Sequence, residues 1–282
     1  MEKDPAQNGF EIKDSRIPIL LSLRPIDSLK PHEETVGLEL GLITNDLRQE
    51  DVLRHPLIAD RLTGVMLDGT HRLAALKALK CHWVPCALVN YDDPMILVDR
   101  WFRVITGSGI DEFLDRVSTN TVLTDTTEGD ERLARRDCYA TLENGSSCRV
   151  FPCEKMSPVD LARAAFRLEQ AARENGLRVK YADSKKTSTS KPRIMLSTVK
   201  LEKREIVESA LAAVVFPPKT TRHIIPSRPL GISTPLEWLR EEDQSKAEGR
   251  FVEDLRSKRV KRLPQGSKVG SRRYLEEVYV FS

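Results

Sequence analysis

One short motif in the chain combines residue types that suit the binding of an anion. The motif is Asp68-Gly69-Thr70-His71-Arg72, and it lies between an apolar run and an Ala/Leu-rich helical pattern, so a strand is predicted to turn sharply into a helix. Backbone N–H groups and the positive end of the helix dipole meet at such a turn, while Gly69 allows close approach of a ligand and Arg72 adds a cation. The same residues also fit an ordinary strand-to-helix turn with a solvated arginine, so other segments must decide between the two interpretations.

A second segment rich in hydrogen-bond donors follows a pair of prolines. Its five consecutive side chains offer an ammonium group, two hydroxyls, a guanidinium and an imidazole: Lys219, Thr220, Thr221, Arg222 and His223. Such a density of donors suits a phosphate or a carboxylate ligand. A solvated basic surface has a similar composition, and this alternative stays open on these residues alone.

Two other positions are candidates for chemistry. Pro31 followed by Glu33 and Glu34 predicts the start of a helix with an apolar face at residues 36–43, and carboxylates in a first helical turn commonly interact only with the helix dipole. Trp101 lies either in the core or at the wall of a pocket.

The elements that must position these residues alternate between strands and helices. The order strand, helix, strand, hairpin, helix, strand predicts a compact α/β unit that ends near residue 105, and a composition shift at residues 107–109 predicts a boundary. The later part predicts a hairpin at 138–151, a helix at 158–174 and further strands and helices. We therefore divide the chain into a flexible lead at 1–15, a first domain at 16–106, a second, smaller mixed α/β domain at 107–215, a segment at 216–240 and a charged C-terminal extension at 241–282.

Composition excludes several classes of protein. The 282 residues are 40% hydrophobic and 31% charged, as in soluble globular proteins, and the apolar stretches fall short of the roughly 20 residues that span a membrane. The lead is polar and acidic, unlike a signal peptide. Five cysteines without a Cys-x-x-Cys pair predict a cytoplasmic protein without disulfides. A net charge of +3 gives no reason to expect a nucleic-acid partner, and no membrane partner is expected.

The motifs of the first domain resemble those of the ParB/sulfiredoxin superfamily, which implies a mixed α/β fold with a mixed sheet. The motifs are Arg24-Pro25-Ile26-Asp27-Ser28-Leu29, Pro56-Leu57-Ile58-Ala59 and Asp68-Gly69-Thr70-His71-Arg72. Within this superfamily the chain resembles the free L-serine kinases of archaea and their siderophore-pathway relatives in bacteria. The features that carry this second resemblance are Lys30-Pro31-His32-Glu33, Trp101 and Pro218-Lys219-Thr220-Thr221-Arg222-His223.

The kinase resemblance implies an activity and its ligands. The expected reaction is phosphorylation of free L-serine to O-phospho-L-serine, with ADP or ATP as donor and Mg²⁺ as cofactor. It further implies that residues 16–106 are the catalytic domain, that residues 107–215 cover it and that residues 216–240 return to the active site. The oligomeric state stays open.

The resemblance also implies roles for individual residues. Glu33 matches the catalytic carboxylate that accepts the proton of the serine hydroxyl, and Asp68 orients that hydroxyl or helps to hold Mg²⁺. The catalytic set is Glu33, Asp68 and His71. The phosphates are expected to bind Gly69, Thr70, His71, Arg72, Lys219, Thr220, Thr221, Arg222 and His223. Serine is expected to bind Trp101, Glu33, Thr221 and His223.

The chain departs from the kinase pattern at one position of the anion-binding motif. Family members carry two histidines after Asp-Gly, and the first of these is Thr70 here. A threonine hydroxyl can hydrogen-bond a phosphate oxygen, but it carries no charge and is not an acid near neutrality.

Three other functions were weighed against the kinase. A sulfiredoxin-like reductase requires a cysteine at the position of Thr70 and is rejected. A ParB-like nucleotide-dependent DNA-binding protein requires a helix-turn-helix after the first domain, and the basic tail keeps this interpretation open. A non-catalytic sensor of an amino acid or nucleotide could use the same pocket.

Overall fold

The computed structural model of the chain describes residues 9–185 and 193–282. Within these residues the α-helices are α1 (Gly37–Glu50), α2 (Thr70–Ala78), α3 (Ile110–Arg116), α4 (Thr126–Arg135), α5 (Pro158–Glu174), α6 (Lys203–Leu211), α7 (Leu236–Leu239) and α8 (Gln244–Ser257). The first ten strands are β1 (Phe10–Ile12), β2 (Ile19–Pro25), β3 (Val52–Leu53), β4 (Leu57–Asp60), β5 (Met66–Asp68), β6 (Trp83–Val89), β7 (Leu97–Arg100), β8 (Phe102–Thr106), β9 (Val122–Asp125) and β10 (Cys138–Asn144). The other strands are β11 (Ser147–Pro152), β12 (Arg178–Ala182), β13 (Arg193–Thr198), β14 (Thr221–Ile224), β15 (Ser227–Leu230), β16 (Thr234–Pro235), β17 (Val260–Leu263), β18 (Lys268–Val269), β19 (Arg272–Arg273) and β20 (Glu277–Phe281).

The chain divides into two compact units, each built from more than one segment. Unit 1 comprises the described residues up to 97, residues 210–213 and residues 223–282, and unit 2 comprises the described residues of 98–209 and residues 214–222. We predicted a boundary near 106 and an extension after 240. The first segment of unit 1 runs to Leu97, and residues 241–282 belong to the same unit.

Unit 1 contains a five-stranded mixed sheet in the order β1-β2-β6-β4-β5. β4 is parallel to β6, and the other pairs are antiparallel. β4 is buried along its whole length, and Leu73, Ala75 and Leu76 of α2 are buried as well, which accounts for the apolar stretches in both segments. Residues 1–8 of the predicted flexible lead lie outside the described residues. The rest of the lead includes β1, whose Phe10 ring packs edge-on against Phe281 with centroids 5.7 Å apart.

The C-terminal segment adds α8 and a second sheet to unit 1. Ala247, Phe251 and Leu255 form the buried face of α8, and the other face carries the exposed charges that dominate the sequence here. β20 lies between β15, to which it is parallel, and β17, to which it is antiparallel. The basic run around residue 260 therefore lies on a folded element.

Unit 2 is built around a six-stranded sheet in the order β12-β8-β13-β10-β11-β9, with every pair antiparallel. Its core joins inward residues of these strands, such as Ile105 and Leu196, to Leu168 of α5 and Phe113 of α3. Ser157 caps α5 through its hydroxyl, with Pro158 at the first position, as the sequence predicts.

The predicted fold class, mixed α/β with a mixed sheet, is confirmed. The helix predicted to begin near Pro31 begins at Gly37 instead. Residues 31–36 stay out of the helix because Lys30 is held beside β5 by two backbone hydrogen bonds, from its N–H to Gly64 O and from Met66 N–H to its carbonyl. None of the described helices is both long enough and apolar enough to cross a lipid bilayer.

Candidate active site

The predicted anion-binding turn is present in unit 1, where β5 ends at Asp68 and α2 begins at Thr70. Gly69 connects them at a φ of +103°, a conformation that L-residues rarely adopt. A Cβ added at Gly69 would lie 2.7 Å from Leu57 Cγ, so packing also requires glycine here. The first bond of the α2 ladder runs from Leu73 N–H to Gly69 O, and the amides that precede it in an α-helix point out of its N-terminus.

Asp68 is held by two guanidinium groups. Its Oδ2 accepts hydrogen bonds from Arg72 Nη2 at 3.1 Å and from Arg228 Nη1 at 2.5 Å. Burial by itself raises the pKa of Asp68, but Arg228 and then Arg72 outweigh burial and hold that pKa well below its ordinary value. Asp68 is therefore ionised throughout the physiological range.

Arg72 is largely committed to protein acceptors. Besides Asp68, it donates through Nη1 to the carbonyls of His55 and Pro56, both at 2.9 Å. Its side chain thus joins the N-terminus of α2 to the start of β4. The charge of Arg72 still contributes to the potential at the turn, although most of its donors serve the fold.

His71, in the first turn of α2, connects this helix to the start of α1. Its Nε2 accepts a hydrogen bond from the backbone N–H of Val36, the residue just before α1, at 2.9 Å. Because this nitrogen acts as the acceptor, the ring proton is assigned to Nδ1. The Glu39 carboxylate lies 3.6 Å from the same nitrogen.

Glu33 lies in the extended segment beside β5, outside α1. Its carboxylate is 3.8 Å from His32 Nε2, and only 15% of its side chain is exposed. Burial lowers the pKa of His32 against the opposing effect of Glu33, so His32 is neutral at pH 7. The interpretation of Glu33 as a partner of the α1 dipole does not apply, since the helix starts four residues later.

His223 joins this group within unit 1. The rings of His32 and His223 meet edge to face with centroids 5.2 Å apart, and the Tyr91 hydroxyl is hydrogen-bonded to His223 Nε2 at 2.7 Å. Burial raises the pKa of Tyr91 above its ordinary value, and Asp60 raises it further, so the phenol keeps its proton. Glu33, His32, His223 and Tyr91 therefore form a compact polar cluster.

The other predicted site residues, Trp101 and Lys219 to Arg222, belong to unit 2. The Arg222 guanidinium lies over the Trp101 ring, 5.6 Å from its centroid, and 3.7 Å from Asp183. The two residues predicted from distant motifs are thus neighbours. The hydroxyl of Thr220 donates to Pro217 O at 2.8 Å, so it serves the turn that Lys219 enters with a φ of +59°.

Sequence reasoning missed Arg228, Tyr91 and Glu276. Arg228 donates to Asp68 and, through Nε, to Glu276 Oε1 at 2.7 Å. No local motif marks these residues, since each lies next to its partners only after distant strands have paired. The one signal in the sequence was that Arg228 lies within a segment that favours a strand.

A resident metal centre made only of protein ligands does not fit the described residues, among which no group of three or more histidines, cysteines or acidic residues is arranged to hold a metal. Asp68 Oδ1, which accepts no hydrogen bond from the described part of the chain, offers one carboxylate oxygen. One carboxylate together with substrate phosphates and water is a common way for proteins to hold Mg²⁺.

The chain is similar to characterised proteins over most of its length. It is 26% identical over 248 residues to a protein of Staphylothermus marinus named ATP-dependent L-serine kinase, with 79% of this chain and 91% of the relative aligned. It is 24% identical over 233 residues to the ADP-dependent L-serine kinase SerK of Thermococcus kodakarensis, with 76% of this chain and 90% of the relative aligned. No protein-family model matches the chain.

The fold is also shared with a solved structure. A free serine kinase in complex with AMP superposes with a TM-score of 0.66 at 21% identity, covering 80% of this chain and 97% of the other. The chain is therefore similar in sequence to proteins named L-serine kinases, and it has the fold of a free serine kinase.

Proposed function

We propose that this chain is a nucleotide-dependent kinase that phosphorylates the hydroxyl of free L-serine to O-phospho-L-serine. The observation that carries the proposal is the turn into α2, where the N-terminus of the helix directly follows an Asp68 that two arginine side chains hold. Phosphoryl transfer depends mainly on positioning and on neutralising charge, and this turn supplies both. Similarity to L-serine kinases along most of the chain supports the choice of acceptor.

Glu33 acts as the general base in this proposal. It is mostly buried beside the neutral His32, so its carboxylate has little competition from water for the proton of the substrate hydroxyl. His223 packs against His32 and is hydrogen-bonded to Tyr91, and these two contacts hold the cluster in position.

The phosphates bind at the N-terminus of α2. The amides of its first turn and the Thr70 hydroxyl donate to phosphate oxygens, and Gly69 permits their approach. Asp68 Oδ1 either orients the substrate hydroxyl or helps to hold Mg²⁺, while Arg72 contributes its charge and His71 holds the turn against Val36.

Among the residues of unit 2, Trp101 and Arg222 bind the amino acid, because a guanidinium stacked on an indole is a rigid partner for a carboxylate. Lys219, Thr221 and His223 bind phosphate or the amino-acid carboxylate. For Thr220 we retain only a structural role, since its hydroxyl is bonded within the turn.

Mg²⁺ accompanies the nucleotide and supplies charge neutralisation at its phosphates when bound. Asp68 is the residue of the turn that would hold it, through Oδ1. A cytoplasmic location remains part of the proposal.

The sharpest test of the proposed base compares Glu33→Gln with Glu34→Gln, its exposed neighbour in the chain. We expect Glu33→Gln to lower kcat at least about 100-fold while ADP binding measured by calorimetry is retained, because the amide cannot accept a proton. Glu34→Gln should leave kcat within about twofold of the original, as expected for an exposed substitution. Equal activities of the two variants would remove Glu33 from the mechanism.

The activity itself is tested with purified protein, Mg²⁺, L-serine and either ADP or ATP, with phosphoserine measured by mass spectrometry. Formation of phosphoserine supports the kinase, and comparison of the donors and of L-threonine or L-homoserine as acceptors defines specificity. If none of these mixtures yields a phosphorylated amino acid, the proposal is overturned. A sensor would bind the ligands without turnover.

A further inference from the structure

The carboxylate of Asp68 is bonded asymmetrically. Both guanidinium groups, from Arg72 and Arg228, donate to Oδ2, and Oδ1 receives no hydrogen bond from the described residues. Arg72 follows Asp68 by only four residues, and it also donates hydrogen bonds to the two backbone carbonyls that precede β4. Arg228 reaches Asp68 from 160 residues further along the chain.

Arg228 has its own anchor in the C-terminal segment. Its Nε donates to Glu276 Oε1 at 2.7 Å, and both side chains are mostly buried, with 13% and 17% exposed. Arg228 lies on β15, Glu276 immediately precedes β20, and these strands pair in parallel. A backbone bond from Glu277 N–H to Pro226 O fixes the entry into β20. The register of this strand pair therefore sets the distance from Glu276 to Arg228 and, through it, to Asp68.

Two close guanidinium groups offset the burial of the Asp68 carboxylate. Arg72, Arg228 and, more weakly, Arg272 lower the pKa of Asp68 against the effect of burial, with Arg228 ahead of Arg72. His55 adds no charge at pH 7, because burial and then Arg72 and Arg228 lower its pKa. Glu276 faces Arg228 and balances part of its charge. Without Arg228, the partly buried carboxylate of Asp68 would have one close guanidinium group instead of two.

We propose that Arg228 is a positioning residue for the phosphoryl-transfer site, which holds Asp68 through Oδ2 and leaves Oδ1 for the ligand, and that Glu276 holds Arg228 in place. The inference rests on the proposed kinase function. It gives the C-terminal segment a role in catalysis: Glu276 acts on Arg228, Arg228 acts on Asp68, and Asp68 alone touches substrate.

The test compares Arg228→Met, Arg228→Lys and Glu276→Gln in the full chain by kcat and KM for phosphoserine formation, with the thermal unfolding midpoint of each variant measured beside them. Methionine has a similar length but neither the charge nor the hydrogen-bond donors of arginine, so Asp68 keeps only its bond from Arg72. We expect kcat to fall about tenfold or more as Asp68 loses its orientation. Lysine keeps the charge without the planar fork and should recover part of the kcat that methionine loses. Glu276→Gln should lower kcat several-fold, because it weakens the bond that holds Arg228.

Arg262→Met is the matched control, because Arg262 pairs with Glu277 in the same segment at 2.7 Å and is 55% exposed. It should leave kcat and KM unchanged. The inference is overturned if Arg228→Met gives the same kcat as Arg262→Met, if Arg228→Lys recovers none of the lost kcat, or, where Arg228→Met does not fold, if Glu276→Gln keeps the original kcat. An original chain that makes no phosphoserine refutes the kinase instead, so the two failures are distinguishable.

Discussion

At the scale of single residues, the turn between β5 and α2 depends on a glycine for two separate reasons. The φ of Gly69 is +103°, and the position that a Cβ would occupy is 2.7 Å from Leu57 Cγ. Leu57 belongs to the fully buried strand β4 and has little room to move. Gly69 therefore has two roles: it allows a ligand to approach the turn, and it leaves room for the buried side chain of Leu57.

We expect Gly69→Ala to destabilise unit 1 by about 2 to 4 kcal/mol, the sum of backbone strain and overpacking. Gly249→Ala is the control, because Gly249 lies in α8 with nothing within 4 Å of its added Cβ. That substitution should raise stability by about 0.5 to 1 kcal/mol. Denaturant unfolding monitored by circular dichroism measures both. A Gly69→Ala chain as stable as the original would contradict the argument.

At the scale of elements, a carboxyl group of α8 accepts a hydrogen bond from a backbone N–H of the five-stranded sheet in unit 1. The Leu23 N–H of β2 donates to Glu248 Oε2 at 2.9 Å, at a point on β2 beyond its pairing with β1. Burial raises the pKa of Glu248 to about 7, although the Leu23 bond opposes this. The helix therefore packs best with Glu248 protonated.

This raised pKa predicts a pH dependence of stability. Between the ordinary value of 4.5 and about 7, the folded chain holds a proton that the unfolded chain has released, so stability falls as pH rises through this window and levels off above it. Glu248→Gln removes the titration and should stabilise the chain by about 1 to 2 kcal/mol at pH 8. Thermal unfolding between pH 5 and 8 measures the effect.

Glu253→Gln is the control for this experiment, since Glu253 is exposed on the same helix. Its stability should follow the pH curve of the original chain. A Glu248→Gln variant that also retains the original curve would show that Glu248 does not titrate in this window.

At the scale of the whole molecule, unit 1 needs both ends of the chain. Strands β1 to β6 come from the N-terminal part, whereas α8 and the β15-β20-β17 sheet come from residues after 222. Phe251, Leu255, Val278 and Phe281 are all buried. Fully burying one such side chain contributes about 1.5 to 3 kcal/mol, and a domain is stable by only about 5 to 15 kcal/mol.

A chain truncated after Arg240 is therefore expected to lose cooperative unfolding of unit 1. The milder Phe251→Ala should cost about 3 to 5 kcal/mol, whereas Leu275→Ala, at an exposed position in the same segment, should stay within about 0.5 kcal/mol of the original. Calorimetric scans of the three chains provide the measurement. Cooperative unfolding of the truncated chain at the original temperature would show that the C-terminal segment is dispensable.

The sequence by itself determined the features that depend on local patterns. The mixed α/β class, the turn from β5 through Gly69 into α2, the hairpin of β10 and β11 and the capped helix α5 all follow from periodicity and turn chemistry that act within a few residues. The motif resemblance, which is also local, pointed to the L-serine kinases.

Only the tertiary structure decided which charges meet. The pairing of β15 with β20 brings Arg228 between Asp68 and Glu276, and the packing of α8 on β2 places Glu248 at Leu23. The helix α1 begins at Gly37 rather than near Pro31, where the sequence predicted it, because the backbone of Lys30 is hydrogen-bonded to Gly64 and Met66. In each case the controlling partner is remote in sequence, and its contribution to the free energy exists only once the chain has folded.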